Sequence, residues 1–159
     1  MATIKKNQFR TRQFGGFTPY GNVTSLLFAL ATNAAGAVVD SNSAAAVAAA
    51  DVVDLGPLPE GMRLDEATVK VITGMTATIT GSLGFVYEDG VNDGDVPQDP
   101  AYFGTGLNLA TAAVLRSVAV KATVVLPKPA RLVLTTAVAA NAKASAIEVL
   151  VQGELLGPR

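Results

Sequence analysis

The sequence predicts an all-β fold, an antiparallel β-sandwich of jelly-roll type, and two observations carry that expectation. The first is alternation. Within residues 65–89 the segment DEATVKVIT sets Ala67, Val69 and Val71 against Thr68 and Lys70. The segment TATITGSLGFVY then sets Ala77, Ile79, Gly81, Leu83, Phe85 and Tyr87 against a mostly small, hydroxylic face of Thr78, Thr80, Ser82, Gly84 and Val86. A period of two places one apolar face on a core and turns the other away from it. The second observation is punctuation. Glycine and proline divide the chain into about seven to nine short apolar runs with no long amphipathic helix, the pattern of sandwiches and jelly rolls.

Taken in order, the chain opens with a stretch unlike the rest. Residues 1–21 carry Lys5, Lys6, Arg10 and Arg12 with no acid, interleaved with Phe9, Phe14, Phe17 and Tyr20. Neither helical nor strand periodicity persists there, and Gly15, Gly16 and Pro19 interrupt any regular element. We read an extended basic and aromatic arm ahead of a single β-sandwich domain of residues 22–159. Aromatic rings that cannot form their own core need another surface, and the cations favour an acidic neighbour. These eight side chains are therefore the candidate partner-binding residues; a solvated, disordered tail is the competing reading. The following SLLFALATNAAGA has a faint signal-peptide outline, but its apolar run over residues 26–31 is too short for one. Nothing approaches the roughly 20 apolar residues that a membrane-spanning helix requires, so no membrane partner is expected.

Residues 22–32 form a first apolar element, and residues 37–40 a short second one after a turn at Gly36. The alanine run that follows favours a helix by propensity alone. Val52, Val53 and the stop at Gly56 and Pro57 instead favour a strand over residues 46–55. Pro57, Pro59 and Gly61 then make a connection. The two alternating segments pair as an antiparallel hairpin or lie as neighbours across a sandwich. Beyond the acidic EDGVNDGDVPQDP, the run GLNLATAAVLRSVAV begins with a helical turn and becomes extended near Val114. KATVVLPKPARLVLTT reads as strand, turn, strand, with Pro127 and Pro129 fixing the connection. The closing strand turns Ile147, Val149 and Val151 inward against Glu148, Leu150 and Gln152.

Composition narrows the function classes. A chain of 159 residues fits one domain and folds without staples. It has no cysteine and no histidine, which removes thiol chemistry, the commonest general base and the commonest transition-metal ligand together. The apolar half leans on alanine and valine, so we expect shallow packing supplemented by subunit contacts. A net charge of -1 argues against nucleic acid as a partner. Glu88, Asp89, Asp93, Asp95 and Asp99 crowd one loop, whose spacing does not match an EF-hand. Calcium binding, docking of a neighbour's basic arm and plain solvation all remain readings of it. Paired carboxylates on one flexible loop do not make a glycosidase, and Gly104-Thr105-Gly106 lacks the lysine of a phosphate loop. No catalytic residue, metal ligand or cofactor is expected.

The residues also carry a resemblance. Val53-Asp54-Leu55-Gly56, the alternating segment 76–87, the acidic loop, Tyr102-Phe103-Gly104 followed by Leu107-Asn108-Leu109-Ala110-Thr111-Ala112, and the closing strands resemble the capsid decoration, or cement, proteins of tailed bacteriophages. The likeness spans about residues 50–156 and lies in composition and order. It implies a structural virion protein on the outer capsid surface, made in the host cytoplasm, that bridges neighbouring major capsid subunits and is not an enzyme. It also implies a homo-oligomer, a trimer favoured over a dimer, with the arm as anchor. The alternative is a β-sandwich carbohydrate-binding module or a tail or head-completion module of a phage.

Overall fold

The chain is described by a computed structural model over residues 1–5, 23–116 and 121–157, and among these it is all strand and turn, with no helix. In chain order the strands are β1 (Thr3–Lys5), β2 (Val23–Thr32), β3 (Val52–Leu58), β4 (Met62–Thr73), β5 (Thr80–Tyr87), β6 (Asp99–Asn108), β7 (Ala113–Arg116), β8 (Val124–Val125), β9 (Ala130–Ala137) and β10 (Ser145–Leu155). They form two sheets. The first has the order β1-β3-β9-β5-β6, and the second β2-β10-β4-β7, with β8 also paired to β4. Every pairing is antiparallel except β1 with β3.

One apolar cluster draws on both sheets. Leu55, Leu83, Phe85 and Leu134 come from the first, and Phe28, Leu64, Val69 and Val149 from the second. Phe28, Phe85 and Phe103 are fully buried, each removing roughly 150–250 Å² from water. The alternation behind this is cleanest in β10, where every second residue from Ser145 to Leu155 is buried. There Ile147, Val149 and Val151 face the core as expected. In β5, Gly81, Leu83, Phe85 and Tyr87 are buried in the predicted phase.

Several expectations change on meeting the structure. The segments within residues 65–89 are not a hairpin: β4 and β5 stand in opposite sheets, the other arrangement the sequence allowed. The strand expected from residue 76 begins at Thr80, because Thr76 donates its N–H to Asn141 Oδ1 at 3.1 Å and starts a turn closed by Ile79 N–H on Thr76 O. The strand expected over residues 46–55 starts only at Val52. Ala50 takes φ 67°, which ends the alanine run in a turn. β3 then runs on through Gly56 and Pro57, where a connection was expected. Among the described residues β1 covers β3 from Val52 to Asp54, and Pro57 keeps its place in the ladder opposite Arg131 of β9. A bulge between Asp54 and Gly56 absorbs Leu55, which points into the core. The helical turn expected after Gly106 is the end of β6 instead. The first residues of the expected arm also lie in a sheet, since Thr3–Lys5 pairs with β3.

Candidate interaction surfaces

Of the eight candidate anchoring residues, Lys5 is described: it ends β1, exposed, with its backbone N–H donated to Asn42 Oδ1 at 2.9 Å. Lys6, Phe9, Arg10, Arg12, Phe14, Phe17 and Tyr20 lie outside the described residues. The chain on either side of them is fixed at one border of the sandwich. β1 and β2 are end strands of opposite sheets, and β2 leads directly into the sheet that β10 completes.

The acidic loop is built around Tyr87 and Lys128. Lys128 Nζ bonds Asp89 Oδ2 and the carbonyl of Val91, both at 2.7 Å, and sits 4.6 Å from the centroid of the Tyr87 ring. The Tyr87 hydroxyl donates to Val96 O at 2.5 Å, and Tyr87 N–H donates to Gln98 Oε1 at 3.2 Å. Asp93 Oδ1 accepts the N–H groups of Asp95 and Val96 at 3.0 and 2.9 Å. Those backbone donors hold the Asp93 carboxyl below its ordinary value. Lys128, with the Val91 N–H, does the same for Asp89. Burial pushes the Tyr87 phenol up, and Asp93 and Asp89 add to it. At the edges of the loop, Asp99 pairs with Lys121, and Glu88 lies 3.5 Å from Arg131. Asp93 thus closes the loop on itself, while Glu88, Asp89 and Asp99 tie it to cations outside it. Among the described residues, no three acidic side chains converge as a metal site.

Beside the loop, Phe85, Val96, Pro97, Tyr102 and Val124 line a recess of about 310 Å³ with the Asp99 and Lys121 pair at its rim. The Tyr102 hydroxyl, raised in pKa chiefly by burial, donates toward Ala122 O at 3.0 Å. The chemistry of this recess is that of a shallow apolar contact with one neutralised ion pair.

The two ends of the sandwich differ in kind. Leu58 and Tyr87 both pair with Ala130, one from each side, at one end, so residues 59–61, 88–98 and 126–129 gather there with most of the loop charge. At the other end lie residues 33–51, 74–79, 109–112 and 138–144. Their exposed surface is largely alanine, including Ala48, Ala49, Ala50, Ala77, Ala140 and Ala142. Here Asn141, 1 % exposed, binds the loops together. It accepts from Thr76 and donates to Thr32 Oγ1 at 3.0 Å and Lys143 O at 2.8 Å. The sequence reading missed this segregation, although its signal was present: both alanine-rich stretches fall where strands stop.

The outer face of the second sheet carries its own apolar features. A register shift between Ala146 and Ile147 leaves Ile72 as the extra residue of a bulge, 56 % exposed. It borders a recess of about 230 Å³ with Val39, Asp40 and Ala146. A second shift re-aims Asp65, whose carboxylate grips Arg63 at 2.7 and 2.9 Å while Glu154 holds the same guanidinium at 2.5 Å.

No protein-family model matches the chain, and no curated protein matches it. Solved structures do. A chain in the capsid of Ralstonia phage GP4 superposes with TM-score 0.66 at 20 % identity, covering 99 % of this chain and 100 % of that one. The fold is one that phage capsids contain. A chain of the cyanophage Pam1 capsid asymmetric unit matches with TM-score 0.60 at 15 % identity, over 92 % of this chain and 94 % of that one. At these identities the likeness is one of fold, and it extends over nearly the whole length of both neighbours.

Proposed function

We propose that this protein is a structural component of a phage virion that decorates the capsid from outside, bridges neighbouring major capsid subunits as a homo-oligomer and catalyses no reaction. The observation that carries the reading is the end-to-end fold match to the chain in the GP4 capsid. The strand order supports a jelly roll specifically. If β2, β3, β4, β5 and β6 are taken as the first five strands, β7 with β8 as the sixth, and β9 and β10 as the last two, the sheets read 1-8-3-6 and 2-7-4-5. That is the two-sheet order of an eight-stranded jelly roll with two Greek keys, with β1 added at one border.

The surfaces agree with a role of contact rather than chemistry. An alanine-rich end, whose exposed charges are Asp40 and Lys143, fixes few long side chains on docking and so loses little rotamer entropy. Phe85, Tyr87, Tyr102 and Phe103 are all buried, so the described residues offer no aromatic platform for a sugar. Under this reading Phe9, Phe14, Phe17 and Tyr20 fill pockets on the shell or a sister subunit, and Lys5, Lys6, Arg10 and Arg12 orient them. Changing those four aromatics together to alanine should leave the folded domain intact and abolish binding to undecorated heads. Retained binding would remove the segment as the anchor. Binding on a glycan panel, or labelling of a single vertex rather than the whole shell, would support the module readings instead.

A further inference from the structure

The first strand occupies a fully specified slot. Ile4 is 1 % exposed, and Thr3, Ile4 and Lys5 stand in parallel register with Val52, Val53 and Asp54. Ala2 N–H donates to Asp51 Oδ1 at 2.8 Å, while Asp51 Oδ2 accepts from Ala48 N–H at 2.9 Å. Ala2 O accepts from Val52 N–H at 3.0 Å. Lys5 and Asn42 exchange two further bonds, at 2.9 and 3.0 Å. The bonds made by residues 2–5 go to β3 and to Asn42 and Asp51 beside it, and none requires that the two sides belong to the same chain.

What joins β1 to the rest of its own chain is the length from residue 6 to residue 22. At about 3.4 Å per residue that length spans up to roughly 58 Å. A domain of this size has a radius of gyration of about 15 Å and a diameter of roughly 40 Å. The tether is therefore long enough to carry β1 to the same slot on a touching neighbour. Exchanging an identical element reproduces all its contacts and is a low-cost route to association. Parallel pairing at a sheet border, with a long connection rather than a tight turn, leaves the strand separable as a unit.

We propose that β1 is an exchanged strand: Thr3–Lys5 of one copy fills the slot beside β3 of a second copy of this chain. The proposal rests on the oligomeric reading above and gives it a specific contact. Each subunit's first sheet is then completed by its neighbour, and the basic, aromatic residues that follow are drawn across the interface.

The chain contains no cysteine, so engineered thiols report cleanly. Thr3 and Val52 are register partners, exposed and half-buried respectively, and neighbouring strands hold Cα atoms within disulfide range. Thr3→Cys protein mixed with Val52→Cys protein, dissociated and reassembled together, should give on oxidation a species of twice the chain mass that neither variant forms alone at comparable yield. The double variant should likewise link between chains. Sedimentation accompanies the test, comparing the full chain with one lacking residues 1–5. Exchange requires that the full chain associate and that this deletion shift it toward monomer. A disulfide confined within single chains of the double variant overturns the proposal. So does a full chain that is monomeric, or an oligomer unmoved by the deletion. An oligomer that persists with β1 paired at home would sink the exchange alone and leave the virion reading standing.

Discussion

Replacing Asn141 with alanine removes the polar tie at the alanine end of the sandwich, and its cost can be worked from the contacts. The side chain is 1 % exposed. Its Oδ1 accepts from Thr76 N–H at 3.1 Å and Thr76 Oγ1 at 3.2 Å, and its Nδ2 donates to Thr32 Oγ1 at 3.0 Å and Lys143 O at 2.8 Å. After truncation, Thr32 Oγ1 retains Ser145, and Lys143 O retains Thr32. Thr76 N–H is the backbone donor that loses its acceptor. One orphaned half-buried donor costs about 1–3 kcal/mol, and the three other lost bonds about 0.5–1.5 kcal/mol each, giving a loss of about 2.5–7.5 kcal/mol. At this chain length that is a fall in Tm of roughly 5–30 °C. Urea unfolding with an unchanged m-value is the assay. Asn92→Ala serves as the control, since Asn92 is exposed and accepts a single bond from Gln98 N–H at 2.8 Å. A loss below about 1 kcal/mol for Asn141→Ala, no larger than the control's, would refute the reasoning that the hub holds these loops.

Three further outcomes are expected. Gly84→Ala would place a Cβ 2.1 Å from Asp99 O, a backbone atom where β6 crosses β5, so the variant should lose about 3 kcal/mol or fail to fold, as measured by denaturation and soluble yield. Val138→Gly should stabilise by about 1 kcal/mol, because Val138 holds φ 79° with its side chain 68 % exposed and glycine relieves that strain without emptying the core; an unchanged midpoint would contradict it. The Asp89 and Asp93 carboxyls should titrate below 3.8, as followed by carboxyl NMR, because both are depressed in the folded chain. Their contribution to loop order is complete above that value and is lost as pH falls through the folded midpoints. Lys128→Ala should raise the Asp89 midpoint more than that of Asp93, since Lys128 is the first cause for one and the last for the other.

The sequence made the two-sheet, all-β architecture legible because a period of two survives wherever one face is buried. The phase read for Ile79 to Tyr87 and for Ile147 to Val151 is the phase found. Strand ends were less legible, for reasons outside any local pattern. Thr76 alternates correctly yet turns, because Asn141, remote in sequence, captures its N–H. Pro57 looked like a terminator, but β3 runs through it, in register with Arg131 of β9, a partner remote in sequence. Pairing across sheets was equally hidden. KATVVLPKPARLVLTT reads as one strand, turn and strand, yet Val124–Val125 pairs with β4 and Ala130–Ala137 with β3 and β5. The acidic loop was visible as composition, but its closure around Lys128 was not. That closure rests on Lys128 lying over the Tyr87 ring, a contact between residues 41 positions apart.

The measurement that bears most directly on the account is co-sedimentation of the purified full chain with empty, undecorated phage heads. Removing residues 1–20 is a poor comparison, because it would also strip β1 from β3. The version with Phe9, Phe14, Phe17 and Tyr20 changed to alanine is the proper one. The account predicts that the unaltered chain sediments with heads at a ratio near the number of major capsid subunits, saturably. Failure of the unaltered, folded protein to sediment with heads at any concentration would contradict it.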